Sequence, residues 1–390
     1  MHTFNASPRT VVIVGASHSG VATATELRNA GYAGEIILVG DETGLPYHRP
    51  HLSKDSLTAQ MPEPKDLKPA SFYKERGITL RLGTEVTAID RSAKQLQLRD
   101  GGSLPYDALV LATGANARSL PAALQGGVNA VVLRDRLDWQ ALTAAFAEAR
   151  SLAVIGGGFI GLEVAAAARE KGLAVTVVEA AERLMMRSVY PVIAERVLAE
   201  HRDSGINIRL GVTVSKVTAQ GLSLADGSEI DADLVLACVG SQPRTVLAVA
   251  AQLPCSNGVD TDAFGRTADP AIFATGDCAH WDHQGAAARH ESIAATQYQA
   301  KVIAATLTGK PTPPPAPFRL WSFQGAVRLQ MCGPVVADAE IHVDAPDENS
   351  LILRASLDGR LIAVQALNAS RQFGAAVAEL DVATREALPA

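Results

Sequence analysis

Two glycine-rich turns set the chemistry open to this chain. Gly15-Ala16-Ser17-His18-Ser19-Gly20 follows the apolar run Val11 to Val14, and Gly156-Gly157-Gly158-Phe159-Ile160-Gly161 follows Leu152 to Ile155. Such a turn between strand and helix lets backbone N–H groups and the positive helix N-terminus meet a pyrophosphate without side chains in the way. Each is followed by an alanine-rich helical stretch, a second apolar run and an acid. Asp41 comes 21 residues after Gly20 and Glu179 comes 18 after Gly161, a spacing at which a carboxylate accepts hydrogen bonds from an adenosine ribose. One such turn is a weak signal; two, each with strand, helix and acid in place, point to two dinucleotides. In the first, Ser17 holds the second glycine position; serine is small and its hydroxyl can donate to a phosphate oxygen, so binding is expected to survive. In the second, the Glu179 carboxylate repels a 2′-phosphate and the nearest arginine, Arg183, is four residues on, so NADH is expected over NADPH. Two different dinucleotides suggest FAD plus NADH, because a hydride needs an acceptor and the sequence offers no other. Gly276-Asp277, after the apolar run Ile272 to Thr275, assigns FAD to the first site: a carboxylate at a strand end suits a ribitol hydroxyl. The alternative is an Asp capping a helix.

The elements that must position these residues repeat. The first copy runs through a helix from Val21 to Asn29 and the run Ile36 to Val39, the second through a helix from Leu162 to Lys171 and the run Val175 to Glu179. Each reads as a βαβ unit of a parallel sheet. Between them, Ile78 to Asp90, Lys94 to Arg99 and Asp107 to Thr113 read as strands; Ile206 to Gly240 repeats that logic, and a helix follows from about Glu291 to Leu307. Pro311 to Pro317 is a stiff linker. Beyond it, alternation over Arg328 to Met331, Ile341 to Val343, Leu351 to Ser356 and Arg360 to Ala366 predicts an antiparallel sheet closed by a helix near Gln372 to Leu380.

Length bounds the answer: 390 residues at ~150 per domain make two or three domains. A net charge of -6 gives no global field to recruit nucleic acid or an anionic membrane. No signal-peptide core and no run of ~18 apolar residues occurs, so a cytoplasmic location is expected. Cys238, Cys255, Cys278 and Cys332 form no CxxC pair and no disulfide framework. Cys278, His280 and His283 form a C-x-H-x-x-H cluster without a clear fourth ligand, and no metal is expected there.

Further segments carry a resemblance. Gly40-Asp41-Glu42, Leu45-Pro46-Tyr47-His48-Arg49-Pro50-His51-Leu52-Ser53-Lys54, Ala112-Thr113-Gly114, GGGFIGLE from Gly156 to Glu163, Gly276-Asp277-Cys278, Glu291-Ser292 with Gln297, Trp321-Ser322, and Gln324 to Gln330 together resemble the pyridine nucleotide-dependent flavoprotein reductases. Within these, they are most similar to the ferredoxin reductases of bacterial aromatic-ring dioxygenase and cytochrome P450 systems. The resemblance spans essentially the whole chain. It implies an α/β fold with two Rossmann-like dinucleotide-binding domains, as in glutathione reductase, plus a C-terminal α+β domain. The FAD domain would be residues 1–112 and 242–312, the NADH domain 113–241, and the domain facing the flavin 313–390. It implies FAD contacts from Gly15, Ser17, His18, Ser19, Gly20, Asp41, Arg49, Lys54, Val86, Ala112, Thr113, Gly114, Arg134, Gly276, Asp277, Ser292, Ile293 and Trp321. NADH contacts would come from Gly156, Gly158, Phe159, Ile160, Gly161, Glu179, Arg183 and Gly240. Lys54 is implied to lie near flavin N5 paired with Glu163, and Trp321 to border the ring; an ammonium there favours the reduced, anionic flavin.

The implied reaction is hydride transfer from NADH to FAD, then two single-electron transfers to a [2Fe–2S] ferredoxin. Disulfide-reductase chemistry needs a redox thiol beside the flavin, and Leu45 to Lys54 holds none. Two departures are expected to matter. Phe323 stands where the family usually has Asp, and the chain ends at Ala390, short of the family norm at its C-terminal tail. The Phe323 departure keeps open an NADH oxidase or quinone reductase without a protein partner, and a redox sensor like apoptosis-inducing factor. For an acidic ferredoxin, Arg49, Arg289, Arg319 and Arg328 are candidates for a basic rim; the oligomeric state is open.

Overall fold

The computed structural model describes residues 8–58, 63–125, 130–283 and 285–386. The chain divides into two compact units, Met1–His48 with Lys65–Asn116 and Gln242–Pro315, and Arg49–Pro64 with Ala117–Ser241 and Ala316–Ala390.

In the first unit, Val11, Val12 and Ile13 are fully buried, as an unbroken β-branched run must be when both faces of a parallel sheet are covered. The sheet runs Ile272–Ala274, Ala108–Leu111, Thr10–Val14, Glu35–Val39, Ile78–Arg81, all pairs parallel. Thr10–Val14 is thus central, with Ala108–Leu111 on one side and Glu35–Val39 on the other. The order reverses there, and ligands of such sheets bind outside the carboxyl end of the strands at this reversal, where Gly15 lies. Helices His18–Asn29 and Ile293–Thr308 pack together. The single strand expected over Ile78 to Asp90 is two: the chain turns at Gly83, with φ +63°, and Val86–Asp90 joins Gln95–Leu98 and Ser103–Pro105 in an antiparallel sheet. The helix expected from Glu291 begins at Ile293, because Ser292 is its N-cap and accepts from the Ala295 amide at 3.1 Å.

The second unit repeats the parallel order, Asn207–Leu210, Ala174–Glu179, Ser151–Ile155, Leu234–Ala237. It adds a five-stranded antiparallel sheet in the order Arg319–Gln324, Val327–Cys332, Arg360–Leu367, Ser350–Leu357, Glu340–Asp347. Against that sheet the helix Ser370–Glu386 buries Phe373, Ala376, Val377 and Leu380. The edge strand Arg319–Gln324 escapes the alternation rule because its polarity is inverted: Trp321 and Phe323 are exposed while Ser322 and Gln324 are buried. Helices Arg136–Glu148 and Pro191–Asp203 also lie outside the sequence reading. No helix of the described residues is long and apolar enough to cross a membrane.

A half-buried histidine ring adds to the pH dependence of stability. His290 packs edge-on against His283, centroids 5.9 Å apart, and burial, then the neighbouring His283, push it down to about 4. An unfolded histidine titrates near ~6.5, so between these values the unfolded state binds more protons and stability is lost as pH falls. The expected loss from pH 7 to pH 4.5 is on the order of 1–2 kcal/mol after allowing for solvent screening of a partly exposed ring. Urea denaturation at both pH values measures it, and His290→Gln should reduce the difference by this amount.

Candidate functional site

At the first turn, Gly15 has φ +120° and a Cβ there would fall 2.0 Å from the Ala112 carbonyl oxygen; one on Gly20 would fall 1.9 Å from the Gly15 oxygen. These glycines let turn, helix and adjoining strand close on one another. Ser17 is the helix N-cap, and its side chain caps no helix amide. The His18 ring packs edge-on to His48, centroids 5.7 Å apart. Gly276, at φ +73°, approaches Ser19 so closely that a Cβ would meet its hydroxyl at 1.9 Å, so the Gly276–Cys278 turn and the first glycine turn come together. The Gly276 amide donates to Gln299 at 2.7 Å. Asp277 lies within that single 3₁₀ turn. Thr113 donates to the Arg244 carbonyl at 2.7 Å, and Gly114 accepts from the Arg244 amide at 2.9 Å. The Arg244 side chain reaches Asp41 at 3.3 Å and also bonds Asn116. Val86 is buried at the start of its strand. Of the residues expected at FAD, these and Ser292 and Ile293 belong to the first unit, while Arg49, Lys54, Arg134 and Trp321 belong to the second.

At the second turn the glycines divide by role. Gly156 has φ +108° with a Cβ only 2.4 Å from the Cys238 oxygen, and a Cβ on Gly161 would fall 2.2 Å from the Gly156 oxygen. Gly158 differs: it is the N-cap of helix Phe159–Glu170, with φ −85°, and a Cβ there meets nothing within 4 Å. That open space before a helix N-terminus is what a pyrophosphate needs. Phe159 and Ile160 open the helix, Ile160 exposed. The Glu179 carboxylate accepts from the Gly157 amide at 2.6 Å and from the Ala181 amide at 2.8 Å. Arg183 donates to the Val189 and Met186 carbonyls at 2.6 and 2.8 Å, and Gly240, at φ +104°, accepts from the Arg118 amide at 2.9 Å.

Within the second unit a charged pair sits in the interior. Glu163, on the buried face of helix Phe159–Glu170, is 4% exposed. The Lys54 ammonium donates to its Oε2 at 2.7 Å and to the Pro50 carbonyl at 3.1 Å. The Ser53 hydroxyl donates to the same Oε2, and Ser322 donates to Oε1 at 2.6 Å. A buried ion pair persists only when its remaining lone pairs are satisfied in this way. Ser53 and Ser322 lie in the quoted segments but their role did not show there. Trp321, 40% exposed, occupies the opposite face of its strand from Ser322. Beside it, Arg328 lies over the Phe323 ring, 4.8 Å from the centroid, a cation–π contact. Arg49 donates to the Arg134 carbonyl at 2.9 Å, and the Arg134 amide to Asp138 at 2.8 Å.

Three of the four thiols are biased toward the protonated form. Burial, then the Glu163 charge, push Cys238 up to about 12, and burial raises Cys278 and Cys255 as well. Cys278 donates to the Leu111 and Thr275 carbonyls, His280 is held by Asp260 at 2.8 Å, and His283 packs on Tyr298. Among the described residues no three His, Cys, Asp or Glu gather as metal ligands.

Each of the two parallel sheets carries a glycine turn at the carboxyl end of an inner strand, the arrangement of a Rossmann-type dinucleotide-binding fold. The chain belongs to the pyridine nucleotide-disulphide oxidoreductase family, whose model matches residues 9–300. It is 41% identical to the ferredoxin–NAD(+) reductase component of the p-cumate 2,3-dioxygenase system of Pseudomonas putida, over 83% of this chain and 81% of that one. It is 39% identical to rhodocoxin reductase of Rhodococcus erythropolis, over 94% and 88%. Among solved structures, the ferredoxin reductase for the CYP199A2 system from Rhodopseudomonas palustris superposes with a TM-score of 0.89 at 37% identity, covering 96% of this chain and 95% of that one. Putidaredoxin reductase in its covalent complex with putidaredoxin gives 0.90 at 36%, covering 96% and 93%.

Proposed function

We propose that this protein is an FAD-dependent NADH:ferredoxin oxidoreductase passing electrons to a [2Fe–2S] ferredoxin that serves an oxygenase. One observation carries the reading: in a family that includes disulphide reductases, the segment Leu45 to Lys54 holds no cysteine and ends in an ammonium paired with buried Glu163. FAD is proposed at residues 1–112 and 242–312, NADH at 113–241, and the C-terminal domain at 313–390. The close-packed Gly15, Gly20 and Gly276 turns fit a dinucleotide. FAD, when bound, would supply a two-electron acceptor for the hydride of NADH and a one-electron donor for the ferredoxin. The chain's own part is to hold and bias. Gly158 would leave the helix N-terminus open to the NADH pyrophosphate, Glu179 would accept from the ribose, Trp321 would border the ring, and Lys54 would supply positive charge where negative charge arrives. A cytoplasmic location suits four scattered cysteines that form no CxxC pair.

The test is a stopped-flow mix of holoenzyme with NADH and then with candidate [2Fe–2S] ferredoxins. Rapid reoxidation by a ferredoxin is expected. Rapid oxygen consumption without one would instead mark an oxidase, and slow reduction with a long-lived reduced complex a sensor.

Two further outcomes follow from charge. Glu179→Ala should lower NADH efficiency about tenfold, yet bring only a few-fold gain with NADPH, because Arg183 is committed to loop carbonyls; steady-state kinetics with both cofactors decides this. Of the proposed rim, Arg319 and Arg328 are exposed, whereas Arg49 is half-buried and Arg289 pairs with Glu291. Arg319→Glu with Arg328→Glu should cut the ferredoxin-dependent rate at least about tenfold at low salt and flatten its salt dependence. NADH-dependent flavin reduction should be unchanged.

A further inference from the structure

We propose that Gln324 is a positioning residue that ties the Lys54–Glu163 pair and the nucleotide turn at Gly157 into one hydrogen-bond frame, with His201 as its fixed end. The role rests on the reading of Lys54 and Glu163 as the pair beside the flavin. The frame lies wholly within the second unit, and its side chains are sealed from water: Ser322 is 0% exposed, Gln324 2% and His201 2%.

Proton counting fixes the direction of every bond. A carboxylate bound to an ammonium has no proton to give, so the hydroxyl of Ser322 spends its one proton on Glu163 Oε1, at 2.6 Å. Its oxygen must then accept, and the Gln324 Nε2 group donates to it at 3.1 Å. The same amide nitrogen is 3.7 Å from the Met185 sulfur, which can only accept. With both amide protons directed, Gln324 Oε1 faces His201 Nε2 at 2.7 Å, so that ring nitrogen carries a proton. Burial lowers the pKa of His201, in keeping with a neutral imidazole that donates through Nε2. All donors in this chain run toward Glu163, which adds aligned dipoles to the carboxylate.

The branch to Met185 reaches the nucleotide turn. Met185 has φ +47°, a left-handed backbone that a methionine adopts only when its surroundings hold it there. In that conformation its amide donates to the Gly157 carbonyl at 3.0 Å, while the Gly157 amide is taken by Glu179. Gln324 therefore touches, one bond removed, both the carboxylate that holds Lys54 and the loop that shapes the turn.

The variant Gln324→Met keeps the volume and removes the two donors and the acceptor; Ser322→Ala cuts only the Glu163 arm. In the holoenzyme, ¹⁵N NMR of the imidazoles should show His201 neutral with its proton on Nε2 and protected from exchange, and Gln324→Met should abolish that protection. Gln324→Met should slow flavin reduction by NADH about tenfold and raise the NAD⁺ dissociation constant by a similar factor; Ser322→Ala should slow reduction while leaving NAD⁺ binding unchanged. His201→Gln, which retains an N–H donor, should stay within about twofold of the native rate, whereas His201→Leu, which leaves the Gln324 oxygen without its donor, should slow flavin reduction. A His201 proton on Nδ1 overturns the frame whatever Lys54 does. Native values in Gln324→Met beside a slow Lys54→Ala overturn the frame alone. A Lys54→Ala enzyme reduced at the native rate overturns the reading of the pair, and the role of the frame with it.

Discussion

Lys54→Met holoenzyme is expected to retain FAD and to be reduced by NADH about 100-fold more slowly than the native protein. The magnitude is that of removing one oriented charge from a water-poor site where charge develops. The Lys54 side chain is only 11% exposed, and its ammonium is held at 2.7 Å by Glu163. Methionine preserves the apolar stem, so packing is nearly conserved and the change falls on the charge. Removing the partner is expected to act differently. Glu163→Leu leaves Lys54 without a counter-charge and removes the acceptor of both Ser53 and Ser322, a loss of about 3–5 kcal/mol of stability for a broken buried pair. Glu163→Gln presents an amide N–H to groups that are themselves donors, so it should share the slow reduction with a smaller loss of stability. Stopped-flow bleaching of the flavin and urea denaturation separate the two effects. A Lys54→Met enzyme bleached at the native rate would remove Lys54 from the chemistry.

How much of this was legible in the sequence depends on the range of the interaction. The glycine turns were readable because strand, turn, helix and acid follow one another within about thirty residues, and the register Val12 with Ile37 and Ala153 with Thr176 places both acids at the carboxyl ends of their sheets. Lys54 and Glu163 are 109 residues apart, and no periodicity links them; resemblance alone singled them out. Ser322 and Gln324 are hidden for a physical reason. Alternation assigns aromatic residues to the core, and this strand turns them outward because its inner face must satisfy a buried carboxylate and a buried histidine. His201, at the end of an amphipathic helix, carries no local sign of its partner at Gln324. The split of Ile78 to Asp90 into two strands was likewise masked, since apolar residues continue across a turn that only Gly83 betrays.

The two glycines that flank the same nucleotide turn are expected to fail in opposite ways. Gly156→Val puts a branched side chain where even a Cβ falls 2.4 Å from the Cys238 oxygen, at a φ of +108°. Cys238 follows the strand Leu234–Ala237, paired in register with Ser151–Ile155, so the carbonyl cannot withdraw without disturbing the sheet. A loss of about 2–4 kcal/mol is expected, with NADH binding lost as a consequence. Gly158→Val meets no such wall. Its φ of −85° suits any residue, the site of its Cβ is open, and stability should fall by no more than about 1 kcal/mol, the cost of valine at an N-cap. Yet the isopropyl group would fill the space before the helix N-terminus that the pyrophosphate is proposed to take, and the NADH dissociation constant should rise about 100-fold or more, through steric exclusion and the loss of charge-assisted hydrogen bonds. Saturation of flavin bleaching with NADH measures this, and denaturation of the same samples shows whether the fold is intact. The first turn supplies the control, because Ser17 holds there the position that Gly158 holds here. Gly158→Ser should therefore keep NADH binding within about tenfold of native, its hydroxyl replacing part of what its bulk excludes. If Gly158→Val binds NADH as the native protein does, the pyrophosphate lies elsewhere, and the division between a glycine needed for the chain and one needed for the ligand does not hold.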